Sequence, residues 1–376
     1  MIQACGACLR RGYLIGRLAA SIARLLDRPR RHAPGLLALP DEELVAAVAG
    51  DDADEVRAFI DAFDPGRARG KLEALSLGAV CRHAADYPPP LLALGDPPAV
   101  LFFAGGAPAL ARLTAEPAVA LVGTRNPSPY GLEMAYDLGR GLGAAGVPVV
   151  SGLALGIDAA AHRGCVDSGG TAVAVLAGGP DVPYPRTNRR LYERVRKSGA
   201  VISELPPGQR AYRWAFPARN RIMAGLAAVT VVVEAADPSG SLITSVFAAD
   251  LGRTVAAVPG RVTSRFSAGN NRLLKDGALM VTSAQDLLDE LFGSGSTGPG
   301  VGTGGADPRG RRPGLLLDPI EQGALDALEA GLGIDGVCAQ AGLPAKEARA
   351  LLARLESSGH LRRDGLGGYR RTAAIG

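Results

Sequence analysis

From Ala118 onward the chain alternates short runs that are apolar throughout with longer amphipathic stretches, and this alternation limits the possible folds more than any other feature. AVALVG (118–123) precedes GLEMAYDLGRGLGAAG, VPVVSG (147–152) precedes ALGIDAAAHRGCVDSGG, and TAVAVLAGG precedes NRRLYERVRKSG. AVISEL (200–205) leads through an arginine-rich stretch to TVVVEAAD, after which SLITSVFAADLG, TVAAVPG, a helical pattern around NNRLLKDG, ALMVTS and SAQDLLDELF continue the series. A strand without a polar face must be covered on both sides, and helices between successive strands supply that cover. The expectation is an α/β domain over residues 91–293 with a doubly wound, mostly parallel sheet.

The remaining segments read differently. Residues 1–90 are mostly helical in pattern, with Leu14, Leu18, Ile22 and Leu25 at helical spacing, and are expected to form a helical N-terminal domain. Arg17 and Arg24 interrupt the best candidate for a membrane span, so no membrane association is expected. Residues 294–314 are a Gly/Ser-rich flexible linker. Beyond it, 315–376 show helix, short helix, turn, longer helix and two short strands around a glycine turn, the layout of a winged helix-turn-helix domain. Its Arg349, Arg354, Arg362, Arg363, Arg370 and Arg371 suit either contact with DNA or a solvated surface. Five irregularly spaced cysteines do not describe a disulfide scaffold and fit a reducing cytoplasm.

A net charge of +4 on 376 residues does not by itself mark a nucleic-acid binder, so the placement of the charge has to carry the argument. Doubly wound sheets bind ligands at the carboxyl ends of their strands, where strand order reverses. Gly123-Thr124-Arg125-Asn126, Ser151-Gly152, Gly178-Gly179, Ser203-Glu204, the stretch from Glu234 to Gly240, and Pro259-Gly260 stand at those ends. The segment ELPPGQRAYRWAFPARNR lies over them and interleaves Arg210, Arg213, Arg219 and Arg221 with Tyr212, Trp214 and Phe216. Guanidinium groups beside rings suit single-stranded nucleic acid, where cations meet phosphates and rings stack on bases. Arg125, Arg186, Arg189 and Arg190 extend the same rim.

Signals for catalysis are weak. GTRN is not followed by Gly-Lys-Ser/Thr, so it is not a P-loop, and no G-x-G-x-x-G follows the first strand. Asp158 and His162, four apart on one helical face, form a possible pair, with a capping or helix-pair role the plainer reading. Glu204 and Glu234 are lone carboxylates near glycine-rich turns. Cys5-x-x-Cys8 is half of a metal site, and Cys81-Arg-His83 carries residue types for the other half; ordinary thiols with an unrelated His83 fit the same spacing. No metal, cofactor or catalytic residue is assigned on these patterns.

The ordered motifs VGTRNPSPYG, SGLALGIDAAAHRG, LAGGPDVPYPRTN, ISELPPG, FPARNRIMAGLA, VVVEAADPSGSLITS, GRTVAAVPG and SAGNNRLLKDGA cover about residues 85–285 and closely resemble the DprA/Smf family of bacterial DNA-processing proteins. That resemblance implies an extended Rossmann-type domain that binds single-stranded DNA, protects incoming strands and loads the RecA recombinase in natural transformation, without catalysis. It implies phosphate contacts from Arg125, Arg219 and Arg221, with Phe216 beside a base and Asn220 and the backbone at Gly123 and Gly152 closing the pocket. It also implies a homodimer formed near Gly269 to Gly277. The alternative is a nucleotide-binding, phosphoribohydrolase-like enzyme on the same fold, although its Pro-Gly-Gly-x-Gly-Thr segment is absent and EAADPSGSLIT stands in its place.

Overall fold

The computed structural model describes residues 2–26 and 33–296 and, in the tail, 319–329, 332, 334–344, 347–348, 351–352, 355, 361–363 and 369–371. The chain divides into two compact units, 1–302 and 303–376. The linker expected at 294–314 lies outside the described residues from 297 on, as do Arg349 and Arg354.

In the first unit, strands β1 (Ile2–Gln3), β2 (Leu77–Cys81), β3 (Val100–Gly105), β4 (Ala118–Gly123), β5 (Val149–Ser151), β6 (Ala172–Val175), β7 (Ala200–Ser203), β8 (Ala227–Glu234), β9 (Thr254–Ala257) and β10 (Leu279–Met280) form one sheet. Its order is β1-β2-β3-β7-β6-β5-β4-β8-β9-β10. The neighbours from β7 to β10 all pair in parallel, β3 is antiparallel to both β2 and β7, and β1 is parallel to β2. Only β3 therefore runs against the rest.

Helices α1 (Gly6–Leu26), α2 (Ala33–Leu37), α3 (Asp41–Val48), α4 (Ala53–Asp61) and α5 (Pro65–Ala74) come before β2, and α6 (Ala107–Ala115) joins β3 to β4. The crossovers are α7 (Pro129–Ala144), α8 (Ile157–Asp167), α9 (Arg189–Ser198), α10 (Ala215–Leu226), α11 (Leu242–Asp250) and α12 (Ala268–Lys275), and α13 (Ala284–Phe292) closes the unit.

The apolar strands are buried on both faces, as their sequence requires. Along β4, Val119 and Leu121 join one core with Leu138 and Leu142 of α7, while Ala118, Ala120 and Val122 join another with Ile222, Met223 and Leu226 of α10. A third core holds Leu14, Leu18 and Ile22 of α1 with Leu44, Val45 and Trp214. The N-terminal region is therefore helical but not only helical. The sheet reaches past the expected boundary at residue 91, because β2 supplies a continuous apolar edge, LGAVC, to which β1 adds.

The second unit contains α14 (Pro319–Glu329), α15 (Ile334–Ala341) and an antiparallel pair, β11 (Leu361–Arg363) with β12 (Tyr369–Arg371). Ala324, Leu325, Val337, Leu351, Leu352 and Leu361 form its own core. Among the described residues, no helix is long and apolar enough to cross a membrane.

Candidate nucleic-acid interface

The chain lays down β4 to β7 outward on one side and then returns to place β8, β9 and β10 on the other. The loops leaving β4 and β8 therefore diverge and leave a crevice at the switch point. A cleft of ≈ 560 Å³ opens there, walled by Gly123, Thr124 and Arg125 after β4, by the turn from Ala236 to Ser241 after β8, and by α10.

Sequence reasoning places FPARNR in a connection ahead of a helix, but α10 already begins at Ala215. Pro217 is tolerated because the first-turn amides of a helix have no intrahelical acceptor. Phe216, Arg219, Asn220 and Arg221 consequently have fixed directions. At 3.6 residues per turn, side chains two apart diverge by about 200°.

Arg219 points into the crevice floor. One terminal nitrogen donates to the Gly152 carbonyl and, at 2.6 Å, to the Val175 carbonyl. The other lies 3.8 Å from Asp158, and Nε has no partner. Gly152 is obligatory for this arrangement, since a Cβ there would overlap the guanidinium. Gly123 meets a comparable limit, a Cβ falling 2.8 Å from the Glu234 carbonyl. Burial makes Arg219 easier to deprotonate, a tendency that Asp158 opposes and the like charge of Arg125 reinforces. Burial also pushes the Asp158 carboxyl above its ordinary range, and Arg219 only partly counters it. An anion entering above the floor would relieve the repulsion between the two arginines.

Phe216 forms the crevice wall. Arg125 lies over its ring at 4.9 Å from the centroid and Arg219 at 5.8 Å, and Tyr184 packs against it at 5.5 Å with planes 59° apart. Tyr184, 49% exposed, was not singled out by sequence reasoning; its one signal is an aromatic residue between two prolines in PDVPYPRTN. Asn220 donates to the Gly240 carbonyl at 3.4 Å and ties α10 to the turn after β8. Arg186, Arg189, Arg190, Arg210 and Arg213 are exposed, and Arg210 stacks on Tyr212 at 4.7 Å.

Arg221 does not join them. Its guanidinium is 1% exposed and bonds to Asp96 at 2.9 Å and Glu204 at 2.8 Å, with further bonds to the carbonyls of Ala218 and Asp96. The expected phosphate contact at Arg221 is thus corrected, because helical phase turns it away from the crevice and two carboxylates neutralise it. Burial works to lower its pKa, but the two carboxylates outweigh burial and leave the pKa raised.

The candidate catalytic groups are also engaged. Glu204 holds Arg221, and Glu234 accepts from the Ser128 amide at 2.7 Å and its hydroxyl at 2.6 Å, which fixes the N-terminal cap of α7. Asp158 accepts from the Ala154 amide at 3.3 Å and faces Arg219 rather than His162. His162 is fully buried, its ring nitrogens make no hydrogen bond of normal geometry, and burial lowers its pKa to about 3. The possible Asp158–His162 pair does not form. Away from the crevice, Cys5, Cys8, Cys81 and His83 bring four donor atoms together.

The family model and the similar curated proteins point to one family. Residues 78–292 match the model for DNA recombination-mediator protein A. Over 270 residues the chain is 43% identical to a Mycobacterium tuberculosis protein carrying the DNA processing protein DprA name, covering 70% of this chain and 67% of that one. Over 205 residues it is 42% identical to the DNA processing protein DprA of Streptococcus pneumoniae, covering 54% and 71%. The X-ray structure of DprA from Streptococcus pneumoniae superposes with a TM-score of 0.61 at 30% identity, covering 77% of this chain and 99% of that one.

Proposed function

Because this chain belongs to the DNA recombination-mediator protein A family, also called DprA/Smf, we propose that it binds single-stranded DNA in the crevice at the ends of β4 and β8 and delivers the strand to the RecA recombinase. The observation that carries this reading is the Phe216 ring, flanked by Arg125 and Tyr184 above the buried Arg219. A phosphate meets Arg125 and the field of Arg219, and a base stacks against the aromatic pair. Gly123, Gly152 and Asn220 shape the walls, and the exposed arginines after β6 and β7 carry the backbone onward.

No bond needs to be made or broken in this role. Protection of incoming strands and transfer to a recombinase require two binding surfaces and release. The region 269–277 is read as the contact of a homodimer, as the family resemblance implies. The second unit is read as a winged helix, supported by helices α14 and α15, the β11–β12 pair and its separate core.

Fluorescence anisotropy of a labelled oligonucleotide, single-stranded and then duplex, across a salt series tests the reading. Wild-type protein is expected to prefer the single strand, with affinity falling steeply as salt rises, and an Arg125→Ala, Phe216→Ala double variant is expected to lose most of that binding. Equal binding by both proteins would move the contact out of the crevice. Absence of binding by either would point to a small nucleotide ligand instead.

A further inference from the structure

We infer that Cys5, Cys8, Cys81 and His83 bind one Zn²⁺ ion in a closed tetrahedral site that fastens the start of α1 to the edge of the sheet. The topology brings the four together. β1 pairs in parallel with β2, Ile2 opposite Ala79 and Gln3 opposite Val80, so Cys5 emerges from β1 beside Cys81 at the end of β2. Cys8 follows one turn into α1, and His83 lies two residues beyond Cys81.

The four donor atoms all lie within 4.8 Å of one another. Nδ1 of His83 is 3.6 Å from Sγ of Cys5 and 3.5 Å from Sγ of Cys8. Tetrahedral zinc with bonds of about 2.3 Å to sulfur and 2.0–2.1 Å to nitrogen separates such donors by about 3.5 Å. The cluster thus has the dimensions of a single ion's ligand shell, whereas a two-iron cluster needs ligands spread over two metals.

Backbone groups around the cluster are placed to orient its sulfurs. The Cys5 amide points at Sγ of Cys81 at 3.4 Å, an outer contact that orients a metal-bound sulfur. Cys8 stands in the first turn of α1, where free amides favour negative charge. Cys8 and Cys81 are buried, while Cys5 and His83 are exposed, leaving an entry path for the ion. Three thiolates and one imidazole filling four positions leave none for water or substrate, which makes the site structural.

The site also has a consequence for the crevice. The far half of α1 supports the segment that enters α10. Leu14 and Leu18 pack with Trp214, Ala215 and Ala218, and the Trp214 indole donates to the Ala19 carbonyl at 3.0 Å. An ion that pins α1 therefore steadies the helix carrying Phe216 and Arg219.

The test uses the full chain purified without chelator. Elemental mass spectrometry is expected to find about one zinc per chain, and the protein refolded with Co²⁺ is expected to show thiolate charge-transfer bands with the visible bands of tetrahedral cobalt. His83→Ala, at an exposed position, is expected to stay folded by circular dichroism. It should weaken Co²⁺ binding by more than the 10–100-fold that outer-sphere changes cost. Cys338→Ser, in the other unit, is expected to leave both readouts unchanged. Three results would overturn the inference: reduced protein that takes up neither zinc nor cobalt, a disulfide between Cys5 and Cys8 or Cys81 in the native protein, or cobalt spectra and affinity that His83→Ala leaves as they were. Stoichiometric iron with inorganic sulfide would overturn it as well.

Discussion

The crevice floor around Arg219 and the seam around Arg221 lie two residues apart on one helix, yet they treat the same side chain in opposite ways. At the seam, Asp96 and Glu204 surround Arg221 at hydrogen-bond distance and nothing of the charge is left for a ligand. On the floor, Arg219 has one carboxylate at 3.8 Å, two carbonyls, an unpaired Nε and a second arginine nearby. An arginine becomes a binding group when its neighbours leave it under-neutralised and a structural one when they do not. Helical phase decides which neighbours it meets.

The largest expected effect lies at the seam. Arg221→Ala leaves two partly buried carboxylates without their cation, and removing one member of such a network costs about 3–5 kcal/mol. Trp214, the one tryptophan of the chain and buried in the α1 core, provides the fluorescence signal for a denaturant titration. The fraction that remains folded is expected to bind single-stranded DNA nearly as wild type does. Lost DNA affinity at full stability would break the comparison. Phe216→Ala should do the reverse, leaving the unfolding midpoint close to wild type and weakening single-strand binding by about 1–3 kcal/mol per base stacked, with an unchanged salt slope.

Much of the fold was legible because strands covered on both faces must be apolar throughout, as the split of Val119 and Leu121 from Ala118, Ala120 and Val122 demonstrates. The position of the crevice was legible for a similar reason, since ligand sites of doubly wound sheets follow from topology. Partners far away in sequence were not legible. Asp96 is 125 residues from Arg221, and no local pattern announces that they meet. Tyr184 reaches Phe216 only because loops after different strands converge. The start of α10 was obscured by Pro217, which reads as a helix breaker although the first turn accepts it. Cys5-x-x-Cys8 was visible as half of a site, but its closure depends on the pairing of a two-residue strand with β2.

Arg125 sharpens the comparison from the exposed side. It lies over Phe216 without a carboxylate partner among the described ion pairs, so Arg125→Ala should leave stability within about 0.5 kcal/mol of wild type. Loss of one phosphate contact should flatten the slope of log affinity against log salt by about 0.7 for a single strand. An unchanged slope with weakened binding would assign Arg125 to holding the Phe216 ring rather than to the phosphate.

The smallest effect concerns the proton balance beneath the floor. His162 has a pKa near 3 in the folded chain against about 6.5 when exposed, because burial disfavours the imidazolium and Arg219 adds to the penalty. Above pH 6.5 it is neutral in both states and contributes no pH dependence. Below that, the unfolded chain takes up a proton that the folded chain refuses, so stability falls by up to about 1.4 kcal/mol per pH unit. Asp96 and Asp158 act with the opposite sign, since burial raises their folded values and acidification relieves that cost, but their window lies nearer the carboxylate range. Unfolding titrations followed by Trp214 fluorescence at pH 7 and pH 5.5 should therefore differ by about 1 kcal/mol in wild type through this group, and less in His162→Gln. An identical difference in both proteins would mean that His162 is already charged in the folded state, and the crevice floor would then carry two cations rather than one.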